Sequence, residues 1–170
     1  MKIKKYAAID IGSNAIRLLV SNVIEHENET LFHKNSLVRV PIRLGQDAFT
    51  NGKISDKNIK RIVKSIKAFR ILMKVHGVKD YLAYATSALR EAKNGKLVVS
   101  MIKKKSGIKI EIIDGKKEAK IISKANVFEN IDIEKTFLYI DVGGGSTEFS
   151  ILKRGKRINS ISFKIGTVRL

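Results

Sequence analysis

The sequence predicts an α/β protein in which a strand-rich opening is followed by alternating helices and strands. Three segments repeat apolar side chains at helical spacing, and short apolar stretches of strand length lie between them. A second strand-rich unit begins near Thr136. The 170 residues suffice for one domain, or for one domain and part of another. The predicted helices are 55–76, 94–105 and 115–128, and the strands between them are 81–85 and 109–113.

The opening of the chain is predicted to form three strands. Residues 4–24 are apolar on both sides of a Gly-Ser turn, which indicates two paired strands. Residues 30–44 are predicted to form a third strand that ends near Pro41, because proline cannot donate a hydrogen bond to a sheet. Residues 45–52 are predicted to be a loop.

The predicted helices have recognisable ends. Ser55 is expected to cap the first helix, which runs to about His76 and is stopped by Gly77. Asn94 is expected to cap the next long helix, and Gly107 to close it. The basic face of the first helix is expected to be a solvated surface and contains Lys57, Lys60, Arg61, Lys64 and Lys67.

A short helix is predicted directly after the buried strand 81–85, at Thr86-Ser87-Ala88-Leu89-Arg90-Glu91. Ligands of open α/β sheets bind at the carboxyl ends of strands. Arg90 is therefore a candidate binding residue, and the alternative is that it is an ordinary surface residue of a helix.

The strong positive charge predicts an anionic partner. The chain has 34 Lys and Arg residues against 16 Asp and Glu residues, a formal net charge of +18. Nucleotide, polyphosphate or nucleic acid would all fit this charge. The lysines are scattered rather than gathered in one stripe between aromatic residues, which argues against a dedicated nucleic-acid-binding module.

Several kinds of site and location are disfavoured by composition. Cysteine is absent, which excludes disulfides and thiolate metal sites. His26, His33 and His76 do not have the spacing of metal ligands. The sequence has neither the apolar stretch of a signal peptide nor a segment long enough to span a membrane. We therefore expect a soluble cytoplasmic protein without a membrane partner.

The stretch DVGGGSTEF, residues 141–149, reads as a Gly-rich turn between two strands. Three successive glycines allow the backbone to approach a ligand closely and to direct N–H groups at phosphate oxygens. Asp141 and Glu148 flank the turn and could hold a divalent cation beside that phosphate. The alternative is an ordinary tight turn with acidic neighbours.

A similar turn occurs near the N-terminus. When Asp10 is aligned with Asp141, Gly12 aligns with Gly143, and strand-like sequence flanks both turns. The alternative is two unrelated hairpins, but an aspartate, an apolar residue and a glycine recur in register after an apolar strand. The sequence therefore predicts two phosphate loops of one design.

Four motifs, DIGSNAIRL, ATSALREAKN, IEIIDGKKEAKII and DVGGGSTEF, occur in an order and spacing that resemble the Ppx/GppA family of the actin-like ATPase superfamily. The resemblance covers nearly the whole chain. It implies two related lobes that face each other across a cleft. Residues 1–130 would form the first actin-like (ribonuclease H-like) lobe, a mixed sheet with flanking helices. Residues 131–170 would begin a second, similar lobe.

The resemblance also implies site residues and a cofactor. Gly12, Ser13 and Asn14 resemble the first phosphate loop, and the second corresponds to Gly143, Gly144, Gly145 and Ser146. The implied cofactor is Mg²⁺, with Asp141 and Glu148 as ligands and Asp10 facing the cation or an attacking water. Arg90 is similar to an arginine that clamps a phosphate.

Glu118 in GKKEAKII resembles the catalytic glutamate of the family, which would act as general base on the attacking water. The family commonly has acidic residues just before this position, whereas this chain has Lys116 and Lys117. If these lysines lie close, they would lower the pKa of Glu118 and weaken it as a base. They could also help to hold a polyanion.

The activity implied by the resemblance is hydrolysis of terminal phosphoanhydride bonds in inorganic polyphosphate or guanosine pentaphosphate. The alternative is a non-catalytic phosphate-binding lobe, and a kinase of the same superfamily ranks third because the sequence has no sign of an acceptor site. The choice of substrate stays open, as does a homodimer. Family members continue well beyond the position of Leu170, so the chain is expected to be either a fragment of a longer product or a truncated protein, and its own activity stays open.

Overall fold

The structure is a computed structural model that describes residues 2–26, 29–124, 135–154 and 156–169. Its first sheet has five strands in the order β3-β2-β1-β4-β5. The strands are β1 (Lys2–Ile11), β2 (Ala15–His26), β3 (Glu29–Pro41), β4 (Asp80–Ala85) and β5 (Glu111–Ile112). The helices are α1 (Leu44–Asn51), α2 (Asp56–Val75), α3 (Ser87–Glu91), α4 (Gly95–Ser106) and α5 (Gly115–Lys124).

The first sheet is mixed, and its parallel strands determine where the site lies. β1 pairs antiparallel with β2, whereas β1, β4 and β5 are parallel to one another. Ile11 at the end of β1 pairs with Ala85 at the end of β4. Because the carboxyl ends of parallel strands meet at one edge, the Gly-Ser turn after β1 and helix α3 after β4 lie together there.

The core lies between this sheet and the helices packed on it. Ile9 and Ile16 of the sheet and Ile62, Ile66 and Phe69 of α2 are at most 1% exposed. Each such side chain contributes roughly 1.5–3 kcal/mol by leaving water. The apolar residues that predicted an amphipathic α2 are therefore the residues that face the sheet.

The structure agrees with the predicted start and end of α2. The hydroxyl of Ser55 accepts a hydrogen bond from the N–H of Asn58, as an N-cap does. The carboxylate of Asp47 accepts bonds from the N–H and hydroxyl of Ser55, at 2.9 and 2.6 Å. Gly77, with φ of 69°, has the left-handed conformation that favours glycine after a helix.

The predicted loop at 45–52 is wrong, because this segment forms helix α1. Leu44 and Ala48 are buried on one side of the helix, so tertiary packing stabilises a segment whose sequence has no strong N-cap. The residue before α1 is Arg43, which has a left-handed conformation and whose side chain forms no capping hydrogen bond. Strand β3 ends at Pro41 rather than continuing to Leu44.

Two other predicted element ends differ from the structure. Asn94 does not cap α4 with its side chain. Its amide instead donates to the carbonyl and accepts from the N–H of Ile54, both at 2.8 Å, and so ties α4 to the start of α2. The strand predicted at 109–113 is only Glu111–Ile112. The predicted end of the third helix at Phe128 lies outside the described residues, as does the predicted lobe boundary at 130.

The second sheet has three antiparallel strands in the order β6-β7-β8. They are β6 (Thr136–Val142), β7 (Thr147–Lys153) and β8 (Lys156–Phe163). The same succession of three strands opens the first sheet as β1, β2 and β3. In the part of the chain that the structure describes, no helix is both long and apolar enough to cross a membrane.

Candidate active site

The two Gly-rich turns have the same local structure. In the first hairpin Ile11 pairs with Ile16, and the N–H of Gly12 donates to the carbonyl of Ala15 at 3.1 Å. In the second hairpin, the corresponding positions are Val142 paired with Thr147, and Gly143 donating to Ser146 at 2.8 Å. We call residues 12–14 loop 1 and residues 143–146 loop 2.

In loop 1, the backbone carbonyls accept hydrogen bonds from backbone N–H groups of residues 43–45. The carbonyl of Ser13 accepts from the N–H of Gly45, and that of Asn14 from the N–H of Arg43, both at 2.8 Å. In a trans peptide unit, the carbonyl and the following N–H point in opposite directions. The N–H groups of Asn14 and Ala15 therefore point away from the 43–45 segment.

Loop 2 is held in the same way by the segment after β8. The carbonyl of Gly143 accepts from the N–H of Thr167 at 3.1 Å, and that of Gly144 from Val168 at 2.9 Å. By the same geometry, the N–H groups of Gly144 and Gly145 point away from residues 166–169. Both loops thus present N–H groups on the side opposite their anchoring segment, as an anion-binding loop requires.

The two loops are in close contact. A Cβ atom added at Gly144 would lie 3.1 Å from the Cβ of Ser13, and one at Gly145 would lie 3.0 Å from its hydroxyl. The Ser13 hydroxyl is buried and shares a hydrogen bond of 2.8 Å with the hydroxyl of Ser87 in α3. A side chain at Gly144 or Gly145 would therefore require Ser13 or its neighbours to shift.

We expect Gly145→Ala to destabilise the protein by about 1–3 kcal/mol, as overpacking of a close contact does. The new methyl group would lie 2.5 Å from the Ser87 hydroxyl and 2.6 Å from the Phe49 ring. Gly115→Ala is the matched control, because nothing lies within 4 Å of the position of its Cβ. Urea unfolding compares the two, and equal stability would show that the packing around loop 2 is looser than described.

The loops and α5 enclose a cleft with a volume of about 520 Å³. Nearly all predicted site residues line it, and Arg90 instead lies beside it against Glu118. The lining includes Asp10, Gly12, Ser13, Asn14, Glu118, Asp141, Gly143, Gly144, Gly145, Ser146 and Glu148. The structure therefore brings together residues that are far apart in the sequence, while their chemical roles stay predictions.

Glu118 lies in the first turn of α5, whose start is capped by the Asp114 carboxylate accepting from the N–H of Lys117 at 2.7 Å. Its side chain is 22% exposed. Its Oε2 atom is buried and accepts no hydrogen bond from the described residues. The Nη1 atom of Arg90 lies 3.5 Å from this oxygen and donates instead to the carbonyl of Ile113, at 2.7 Å.

This environment raises the pKa of Glu118 to about 7. Burial is the largest cause, and the negative charges of Glu148 and Asp10 add to it. The guanidinium of Arg90 opposes the increase. A carboxylate that titrates near neutral pH has the basicity that suits a general base.

The condition under which the preceding lysines would lower this pKa is not met, because neither Lys116 nor Lys117 contributes to it. The ammonium group of Lys117 contacts the carboxylate of Glu111 at 2.6 Å and lies 5.2 Å from the centre of the Tyr84 ring. Lys116 is exposed. Because Lys117 is paired elsewhere, burial and the neighbouring acids determine the pKa of Glu118.

Replacing Glu118 by glutamine should make the protein more stable at alkaline pH in metal-free buffer. A folded pKa raised to about 7 means that wild-type stability falls as the pH increases from the ordinary value of 4.5 through 7. Glutamine does not ionise, so we expect it to gain about 1–3 kcal/mol at pH 8 and little at pH 5. Urea unfolding at both pH values, with Glu111→Gln as control, measures this. A loss of stability at pH 8 would contradict the burial of an ionised Glu118.

Asp141 and Glu148 face each other on paired strands of the second sheet. Burial and the charge of Glu148 raise the pKa of Asp141. Glu148 is buried, and its Oε1 accepts from the hydroxyls of Ser146 and Ser162 at 2.8 and 3.0 Å. Two opposed carboxylates repel each other unless a cation lies between them.

These carboxylates fit a magnesium site that is completed by substrate. Within the described ranges, no three acidic or histidine side chains are close enough to form a metal site by themselves. Mg²⁺ in phosphate sites is usually held by one or two carboxylates together with phosphate oxygens and water. Asp141 and Glu148 could supply the protein ligands.

Burial raises the pKa of Asp10, although the Arg17 guanidinium lies 3.2 Å away and opposes this increase.

Several residues of the site were missed from the sequence. Arg17 lines the cleft, pairs with Asp10, and occupies in the first hairpin the position of Glu148 in the second. Alignment of the two turns could have identified it. Ser87 belongs to the ATSALREAKN motif, but its bond to Ser13 joins residues 74 positions apart.

Comparison with known proteins agrees with the sequence motifs. The model of the Ppx/GppA phosphatase family matches residues 22–170. A bifunctional 3-dehydroquinate synthase/phosphatase of Fusobacterium nucleatum is 33% identical, over 96% of this chain and 25% of that protein. A guanosine-5'-triphosphate,3'-diphosphate pyrophosphatase of Photobacterium profundum is 28% identical, over 96% of this chain and 32% of that protein.

A solved structure of an exopolyphosphatase has a similar fold. The crystal structure of an exopolyphosphatase from Cytophaga hutchinsonii superimposes with a TM-score of 0.85 and 30% identity, over 98% of this chain and 52% of that chain. The chain spans about half the length of these relatives or less. The predicted α/β fold class is confirmed, and the chain belongs to the Ppx/GppA phosphatase family.

Proposed function

We propose that the cleft binds terminal phosphates of inorganic polyphosphate or guanosine pentaphosphate and hydrolyses the terminal phosphoanhydride bond. One observation supports this most strongly. Two phosphate-type loops line a single cleft together with Glu118, a partly buried carboxylate whose Oε2 atom is buried and accepts no hydrogen bond from the described residues. A carboxylate in this position costs stability and is explained best by a role in chemistry.

The loops would hold the phosphate through their backbone. The N–H groups that point away from residues 43–45 and 166–169 would bind the phosphate oxygens on either side. The guanidinium of Arg17, which lines the same cleft, would add positive charge. These groups are positioned before substrate arrives, so little reorganisation is needed when negative charge develops on the transferred phosphoryl group.

Glu118 would act as the general base. Its Oε2 atom would accept a hydrogen bond from the attacking water and then take its proton as the oxygen bonds to the terminal phosphorus. The phosphorus–oxygen bond to the rest of the chain breaks on the opposite side, and the leaving phosphate takes the electron pair. The Arg90 guanidinium, 3.5 Å from Oε2, would hold the carboxylate in place.

Asp141 and Glu148 would hold Mg²⁺, with Asp10 on the other side of the cleft. When bound, the cation would neutralise charge on the phosphate oxygens. The need for it follows from the charges of the cleft. Although the whole chain has a formal charge of +18, the cleft contains the carboxylates of Asp10, Glu118, Asp141 and Glu148, which would repel a polyphosphate.

The choice between the two substrates is not determined by loops that contact terminal phosphates only. One relative is named an exopolyphosphatase and another a guanosine-5'-triphosphate,3'-diphosphate pyrophosphatase. A non-catalytic phosphate-binding lobe is the second candidate, because the two loops that line the cleft could bind phosphate whether or not Glu118 activates water.

Phosphate release by the purified chain tests the proposal. Long-chain polyphosphate and guanosine pentaphosphate are each incubated with Mg²⁺, and Glu118→Ala is the control. We expect release above this control from at least one of them. Binding of polyphosphate without release above the control would favour the non-catalytic lobe, and absence of both binding and release would contradict a phosphate cleft.

A further inference from the structure

The segment Gly166 to Arg169 is packed against loop 2 along its length. A Cβ atom at Gly166 would lie 2.6 Å from the carbonyl carbon and oxygen of Gly144 and from the nitrogen of Gly145. These are backbone atoms that cannot move aside independently, so only glycine allows this approach. Thr167 and Val168 then donate their N–H groups to loop 2.

The side chain of Arg169 completes this anchoring. Its Nε atom donates to the carbonyl of Gly145 at 2.8 Å. In loop 1 the equivalent carbonyl is that of Asn14, which accepts from the backbone N–H of Arg43 at 2.8 Å. The second loop therefore uses an arginine side chain where the first uses a backbone donor.

Arg169 is itself fixed by the first lobe. Its Nη2 atom donates to both carboxylate oxygens of Glu91, at 2.7 and 2.8 Å. Its guanidinium carbon lies 3.9 Å from the centre of the Phe49 ring, at cation–π distance. The Arg169 and Glu91 side chains are 21% and 28% exposed, so solvent screens the ion pair only in part.

Glu91 belongs to α3, the helix that also contacts the other parts of the site. Ser87 of α3 bonds to Ser13 of loop 1, and Arg90 forms the ion pair with Glu118. Through Glu91 and Arg169, the same helix reaches loop 2. One short element thus connects both phosphate loops and the candidate base.

We propose that Arg169 is a positioning residue for the phosphate site. It holds the carbonyl of Gly145 away from the cleft and fixes loop 2 relative to loop 1 through Glu91. The inference rests on the proposed function only in calling loop 2 a phosphate loop. The contact itself can be tested without substrate.

The first test measures hydrogen exchange of the Gly143, Thr167 and Val168 amides, which form the bonds around loop 2. Arg169→Ala and Glu91→Ala should each increase this exchange roughly 3- to 30-fold, and the double variant should exchange no faster than Arg169→Ala. Exchange in α2, which reports on global unfolding, should not change. Arg169→Lys lacks the guanidinium fork and should increase exchange around loop 2 less than Arg169→Ala does.

Lys4→Ala is the matched control, because Lys4 forms an ion pair of 2.8 Å with Glu25 across two other strands. It should leave exchange around loop 2 unchanged. Unchanged exchange in Arg169→Ala, or additive effects of the two single variants, would overturn the proposal. An increase in exchange in α2 equal to that around loop 2 would also overturn it, since Arg169 would then stabilise the whole fold.

The second test measures the affinity for inorganic tripolyphosphate in the presence of Mg²⁺. Arg169→Ala should weaken binding roughly 3- to 30-fold, and unchanged affinity would overturn the positioning role. If the wild-type chain does not bind tripolyphosphate but loop exchange responds as expected, the proposed function fails while the anchoring of loop 2 by Arg169 is supported.

Discussion

Glu118→Gln is expected to lower the rate of phosphate release by about 10²- to 10⁴-fold, the usual contribution of a positioned general base. Glutamine has nearly the same size as glutamate but cannot take a proton from water. Binding of polyphosphate should change little, because the base contacts the attacking water rather than the phosphate oxygens. Release and binding are measured on the same protein preparation, with substrate in excess for the rate.

Glu111→Gln is the control for this substitution. Glu111 is also acidic, but it lies on β5 and pairs with Lys117 instead of lining the cleft. We expect it to retain wild-type release. Equal loss of release and binding in Glu118→Gln would contradict the assignment, because it would mean that Glu118 holds substrate or shapes the cleft rather than activating water.

The second large effect is expected from Asp141→Asn, which should raise the Mg²⁺ concentration needed for half-maximal release by at least about 10-fold. The same change removes one of two opposed carboxylates, so the metal-free protein should become more stable at pH 8. A residue that merely supports the fold would give the opposite change in stability.

Asp80→Asn controls for the loss of an acid outside the cleft, at the start of β4. Phosphate release across a Mg²⁺ titration measures the first part of the prediction, and thermal unfolding at pH 8 with and without Mg²⁺ measures the second. Wild type should be stabilised by Mg²⁺ together with tripolyphosphate, and Asp141→Asn much less. An unchanged Mg²⁺ requirement in Asp141→Asn would show that the cation is held elsewhere.

Much of the fold could be predicted because its elements have strong local patterns. Helix α2 has apolar residues at helical spacing between Ser55 and Gly77, and the structure agrees with that prediction. Helix α1 was missed because its stability comes from burying Leu44 and Ala48 rather than from a capping residue. Local sequence does not reveal which surface another element will cover.

The candidate site could likewise be predicted only in part. The two loops could be predicted because glycine and aspartate recur in register. The contacts of Arg169 could not, since Glu91 is 78 positions away and no sequence pattern links the two residues. The pKa of Glu118 could not be predicted, because the expected lowering depended on whether the adjacent lysines lie close to its carboxylate. A neighbour in sequence can point elsewhere, as Lys117 does toward Glu111.

The two Gly-rich loops should bind one phosphate group between them. The most direct test is a titration of isotopically labelled protein with inorganic tripolyphosphate and Mg²⁺, observed through backbone amide chemical shifts. The largest changes should occur together at the end of loop 1 (the amides of Asn14 and Ala15) and in loop 2 (the amides of Gly144 and Gly145). Changes confined to the lysines of α2, with both loops unaffected, would contradict it.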